Sequence, residues 1–166
     1  MSPRTAAAEK TAEIDVLASL KQFPFFKDFP VDLLKEVSQF ASFVLQPAGT
    51  EILRQGSKNQ NLYFLLSGSV GVYSDGDLVI HMEKFGDIIG EISVLSQTPC
   101  SASVLAETPV ELIQVEAHKL LGPSTKEISD SLRSQFLRRV HRRYQLESFS
   151  ATNEGVRRVW KKRAAT

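Results

Sequence analysis

The chain has 166 residues and one cysteine, Cys100. A single cysteine excludes an intrachain disulfide and suits a reducing, cytoplasmic setting. Three histidines, His81, His118 and His141, stand far apart in sequence, so no metal-ligand spacing is present. Long apolar runs are also missing. The longest, such as Leu62 to Leu66, fall well short of the roughly 20 residues that cross a bilayer. Met1 to Lys10 has no apolar stretch behind Arg4, so no secretory signal is expected. No Ser-His-Asp order, paired-carboxylate spacing or phosphate-loop signature occurs, which argues against an enzyme.

What remains is the composition of a soluble globular protein, 42 % apolar and 23 % charged. The length suits one domain with a substantial core. The net charge of +1 hides an asymmetry. From Arg133 onward ten basic residues face Glu147 and Glu154, a balance of +8, so residues 1–132 carry −7. An acidic body with a basic tail points to a partner for the tail or to self-association.

Three regions follow from periodicity. Residues 1–13 are expected to be flexible, and residues up to about 46 read as helical. Ile14, Leu17 and Leu20 form one stripe, and Leu33, Leu34, Val37 and Phe40 another. Phe23-Pro24-Phe25-Phe26 interrupts them, and Pro30 marks a helix start. Residues 47–117 read as short strands. The candidates are Thr50 to Leu53, Asn61 to Ser67, Ser69 to Ser74, Leu78 to Met82, Ser103 to Ala106 and Glu111 to Val115. Glycines punctuate them, and Asp75-Gly76 is the clearest hairpin turn. Such spacing predicts a barrel or sandwich. A short helical insert is expected at Glu91 to Leu95. Ser124 with Glu127 then forms a capping box for a long amphipathic helix to about Phe149. Its stripe is Ile128, Leu132, Phe136, Val140 and Tyr144. Residues 150–166 are a basic tail.

One stretch carries chemical information: Phe85 to Leu95, then Thr98 to Val104. It reads as a strand end, a glycine turn, a short helix and a strand start. Gly90 permits close backbone approach, and backbone N–H groups from Glu91 onward favour an anion. Ser101 and Ser103 add hydroxyls, and Glu91 can accept from a sugar hydroxyl. Blander roles stand beside these: Glu91 as a solvated acid favoured by the helix dipole, the serines as alternating strand residues, and Cys100 as an inert thiol.

Gly90-Glu91-Ile92-Ser93-x-Leu95 and Ser101-Ala102-Ser103-Val104 resemble the phosphate-binding cassette of the cyclic-nucleotide-binding domain family. Leu20-Lys21-x-Phe23-Pro24-Phe25-Phe26 resembles its N-terminal helical motif, and Gly49, Gly56, Gly68 and Gly86-Asp87 fall at its turns. The resemblance covers roughly residues 14–149. It implies an α+β, mainly β fold: an antiparallel, jelly-roll-like β-roll with N-terminal helices and a long C-terminal helix. It further implies a cyclic nucleotide, cAMP first, as ligand of Gly90, Glu91, Ile92, Ser93, Cys100, Ser101, Ala102 and Ser103, with no other cofactor and no metal.

One departure matters. The family's phosphate-pairing arginine falls at Cys100, and a thiol cannot make bidentate, charge-assisted bonds to phosphate. Two readings follow. The chain is either a stand-alone cAMP-type sensor that relays ligand state to a protein through its C-terminal helix, or a degenerate domain kept for protein interaction or dimerisation. In related transcription factors that helix is a dimer seam, so a homodimer through Ile128, Leu132, Phe136, Val140 and Tyr144 is implied; the alternative is that this stripe packs back on the β-roll. Arg138, Arg139, Arg142 and Arg143 offer a surface for an acidic partner or nucleic acid, or else form a solvated face. About seventeen residues follow Phe149, too few for a helix-turn-helix, so sequence-specific DNA binding is not expected.

Overall fold

The computed structural model describes residues 15–121 together with Ser134 and Arg138. Helix α1 (Val16–Gln22) begins at Asp15, whose carboxylate accepts from the Ala18 amide at 3.2 Å. Pro24–Phe26 forms one 3-10 turn, and α2 (Val31–Ser38) starts directly after Pro30. Both follow from proline, which presets φ for a first helical turn and breaks what precedes it.

Eight strands follow: β1 (Ala41–Gln46), β2 (Glu51–Leu53), β3 (Leu62–Ser67), β4 (Val70–Ser74), β5 (Asp77–Met82), β6 (Ile88–Ile89), β7 (Ser103–Ala106) and β8 (Val110–Val115). Helix α3 (Glu91–Ser96) lies between β6 and β7, and α4 (Ala117–Leu121) follows β8. The strands form two four-stranded sheets, β1-β8-β3-β6 and β2-β7-β4-β5, antiparallel throughout. The β-roll is therefore as expected. Asp75 and Gly76 both take positive φ, 53° and 84°, which is the two-residue turn that matches strand twist between β4 and β5.

One expectation needs correction. Residues up to about 46 do not stay helical, because 41–46 are β1. Phe40, Phe43 and Val44 have helical spacing, but Ala41 to Gln46 pair residue for residue with Val115 to Val110, and that distant ladder overrides the local period. The last strand is followed at once by α4, which periodicity does not indicate; the expected helix start at Ser124 lies outside the described residues. The stripe Ile128, Leu132, Phe136, Val140 and Tyr144, the flexible 1–13 segment and the 150–166 tail lie outside the described residues.

The core has two parts. One lies between the N-terminal helices and the β1-β8-β3-β6 sheet, centred on Phe64. The Phe23 ring stacks on Phe64 at 5.1 Å, and Phe25 and Phe26 approach it at 5.4 Å. The other lies inside the roll, where Ile89, Ile92, Ala102 and Val104 pack against Leu65, Val72 and Leu112. Ile92 and Ala102 of the cassette are thus core residues. Phe64 is fully buried, so Phe64→Ala is expected to cost about 3–5 kcal/mol in denaturant unfolding, against a negligible loss for Ala at exposed Val31.

Candidate functional site

The segment 88–106 is one continuous device: β6, a left-handed Gly90, α3, a loop, then β7. Gly90 has φ 97°. A Cβ there would lie 2.6 Å from Asn59 Nδ2 and 2.7 Å from the Asn61 carbonyl oxygen. Glycine is needed both for the backbone angle and for that close approach.

The structure brings six of the eight expected site residues together: Gly90, Ile92, Ser93, Cys100, Ser101 and Ala102 share one small cavity with Leu53 and Val104. Ser103, on β7, lies outside that lining, its hydroxyl accepting from the Gln55 amide at 2.9 Å. Glu91 is 2 % exposed, with both carboxylate oxygens shielded from solvent. That rules out the solvated-acid role considered for it. The Ser93 hydroxyl donates to the Gly90 carbonyl at 3.1 Å and accepts from Asn59 Nδ2 at 3.0 Å.

Cys100 is 5 % exposed. Its backbone is pinned on both sides: its amide donates to the Ser57 carbonyl and its carbonyl accepts from the Gly56 amide, each at 2.8 Å. Burial pushes the thiol pKa up, and a hydrogen bond with Ser93 offsets this in part. A raised pKa means the folded state prefers the neutral thiol. That stabilisation is complete below the ordinary thiol range and is lost as pH rises through the raised value. Cys100→Ser should therefore lose less stability than the wild type between neutral and alkaline pH in denaturant titrations; equal losses would contradict the burial effect.

The cavity itself measures about 20 Å³, enough for roughly one water molecule. Its lining has no lysine, arginine or histidine. A phosphate there would meet hydroxyls and backbone dipoles but no counter-charge.

Sequence reasoning missed the loop between β2 and β3. Asn59 holds the cassette: its Nδ2 donates to Asn61 O at 2.8 Å and to Ser93 Oγ, while its Oδ1 accepts from the Asn61 amide at 3.1 Å. Gln55 grips Asp75 at the hairpin tip through two 2.9 Å bonds. The Gln60 carbonyl accepts from the His118 amide of α4 at 3.1 Å. Side-chain amides in a polar loop carry no local signal of such partners. Among the described residues, no cluster of His, Cys, Asp or Glu could hold a metal ion, and no helix is long and apolar enough to cross a membrane.

Residues 44–122 match the family model described as "Cyclic nucleotide-binding domain". A cAMP-dependent protein kinase regulatory subunit of Neurospora crassa is 27 % identical over 108 residues, 63 % of this chain and 28 % of that protein. This chain spans about a quarter of the length of the curated regulatory subunits it matches. Among solved structures, the regulatory domain of Toxoplasma gondii PKA with cAMP superposes with a TM-score of 0.61 at 19 % identity, covering 83 % of this chain and 52 % of that one. The regulatory subunit of a cAMP-independent protein kinase A from Trypanosoma brucei superposes at 0.65 with 22 % identity, covering 84 % and 47 %. At these identities the structures establish the fold.

Proposed function

Residues 44–122 belong to the cyclic nucleotide-binding domain family, and from that premise we propose that this chain is a non-enzymatic, cytoplasmic regulatory module whose cassette binds cyclic nucleotide only weakly and whose output is contact with a partner protein. The observation that carries this reading is Cys100, buried and pinned where the family places its arginine, in a cavity of about 20 Å³ without a cation. Losing a buried ion-pair partner typically costs about 2–5 kcal/mol, or roughly 30-fold to several thousand-fold in affinity. Proteins of similar fold include both a regulatory domain with cAMP and the regulatory subunit of a cAMP-independent kinase, so the fold leaves the choice to the site residues. The route outward runs through α4 into the basic C-terminal segment, where the stripe Ile128 to Tyr144 is the proposed seam for a second copy or a partner, and an acidic partner surface suits the charge of that segment.

A second reading, a working cAMP receptor, draws on Glu91, whose buried carboxylate beside Gly90 suits a ribose hydroxyl. Titration calorimetry with cAMP and cGMP separates the two. No heat at hundreds of micromolar nucleotide is expected; saturable micromolar binding would sink the weak-cassette reading.

A further inference from the structure

Cys100 also lines a second, larger space. A groove of about 640 Å³ runs along β2 and the loop that follows, and Leu53 and Cys100 line both it and the cassette cavity. Its volume falls in the range of small-molecule sites, roughly 300–1,000 Å³. The cassette lacks a cation, but this groove has two, Arg54 and Lys58. Glu51 takes only the Arg54 Nε, at 2.6 Å, which leaves the terminal guanidinium nitrogens uncommitted among the described residues. Lys58 likewise has no ion pair or hydrogen bond among the described residues. Glu51 is the only acid in the lining, so the groove is net positive within a part of the chain that is otherwise acidic.

The walls are preformed. Gly56, with φ 84°, turns the loop so that its amide donates to Cys100 O and the Ser57 carbonyl accepts from Cys100 N, each at 2.8 Å. The Gln55 amide donates to Ser103 Oγ, and Asn59 is bonded into the cassette at Ser93. A loop held this way spends little ordering entropy on binding. Ser57 and Tyr63 add hydroxyls to the lining. Together the groups suit a phosphate monoester or diphosphate: forked and point-like cations for the anion, with hydroxyl-bearing residues beside them.

We propose that this groove binds a phosphate-bearing small molecule, with Arg54 and Lys58 as its cations, at a site distinct from the cassette. A ligand there touches the loop that is hydrogen-bonded to the cassette and, through Gln60, to α4, so occupancy is registered at both.

The test is calorimetry on the full chain with inorganic pyrophosphate, 5′-AMP and cAMP as separate probes, at low and high salt. The wild type is expected to bind pyrophosphate or 5′-AMP, more weakly at high salt. Lys58→Glu and Arg54→Glu should each weaken binding at least tenfold without lowering the melting temperature, because both side chains are exposed. Lys35→Glu, on α2, and Glu91→Gln in the cassette should leave it unchanged. Binding of pyrophosphate alone identifies an inorganic anion, and preference for 5′-AMP a nucleotide; either supports the groove. No binding of any probe at millimolar concentration overturns this proposal and leaves the weak-cassette reading standing. Binding of cAMP that survives both charge reversals but is lost in Glu91→Gln overturns both.

Discussion

Cys100→Arg is expected to raise cAMP affinity by a decade or more and to make the folded protein depend on nucleotide for its stability. The two effects share one cause. The backbone at Cys100 is held by Gly56 and Ser57, which fixes where the new side chain starts, and the cassette lining offers it no acid. A guanidinium held among these residues without an anion costs stability. The apo variant should melt lower than the wild type. A cyclic phosphate supplies the missing partner, and restoring that ion pair returns about 2–5 kcal/mol. Thermal melts of wild type and variant with and without millimolar cAMP check this: the variant should gain several degrees from cAMP and the wild type little. A variant that gains neither affinity nor stability would show that the cassette does not have phosphate geometry.

The second large effect is expected at Gly90. Ala there must adopt φ near 97°, at about 1–2 kcal/mol. It must also displace Asn59 and the Asn61 carbonyl, 2.6 and 2.7 Å from the new Cβ, at about 1–3 kcal/mol for a packed site. Gly76→Ala is the matched control, since Gly76 also has positive φ, 84°, but nothing within 4 Å of a Cβ. Gly90→Ala should therefore be less stable than Gly76→Ala by at least about 1 kcal/mol in urea titrations, and it should loosen the loop that carries Lys58. Equal losses would mean that the contact with Asn59 and Asn61 is soft.

The β-roll, its Asp75-Gly76 hairpin and the short helix after Gly90 were legible in the sequence because each is written locally. Period-two apolar runs, a turn residue pair and a glycine before an acidic helix start act over a few residues. β1 was not legible, since Phe40, Phe43 and Val44 have helical spacing and only the ladder to Val110–Val115 makes 41–46 a strand. β6 was legible only as a strand end before the glycine turn: two residues, Ile88 and Ile89, carry no period, and their pairing with Phe64 and Tyr63 defines them.

The site divides along the same line. By itself the sequence determined which residues form the cassette and that a thiol stands in place of a guanidinium, because residue identity sets charge and donor type. Only the tertiary structure decided that Glu91 is buried, that the space at Cys100 measures about 20 Å³, and that Arg54 and Lys58 line a groove that Cys100 also lines. Burial and cavity volume are properties of packing between distant segments, here β2 with its following loop against the 88–106 device, and no local pattern encodes them.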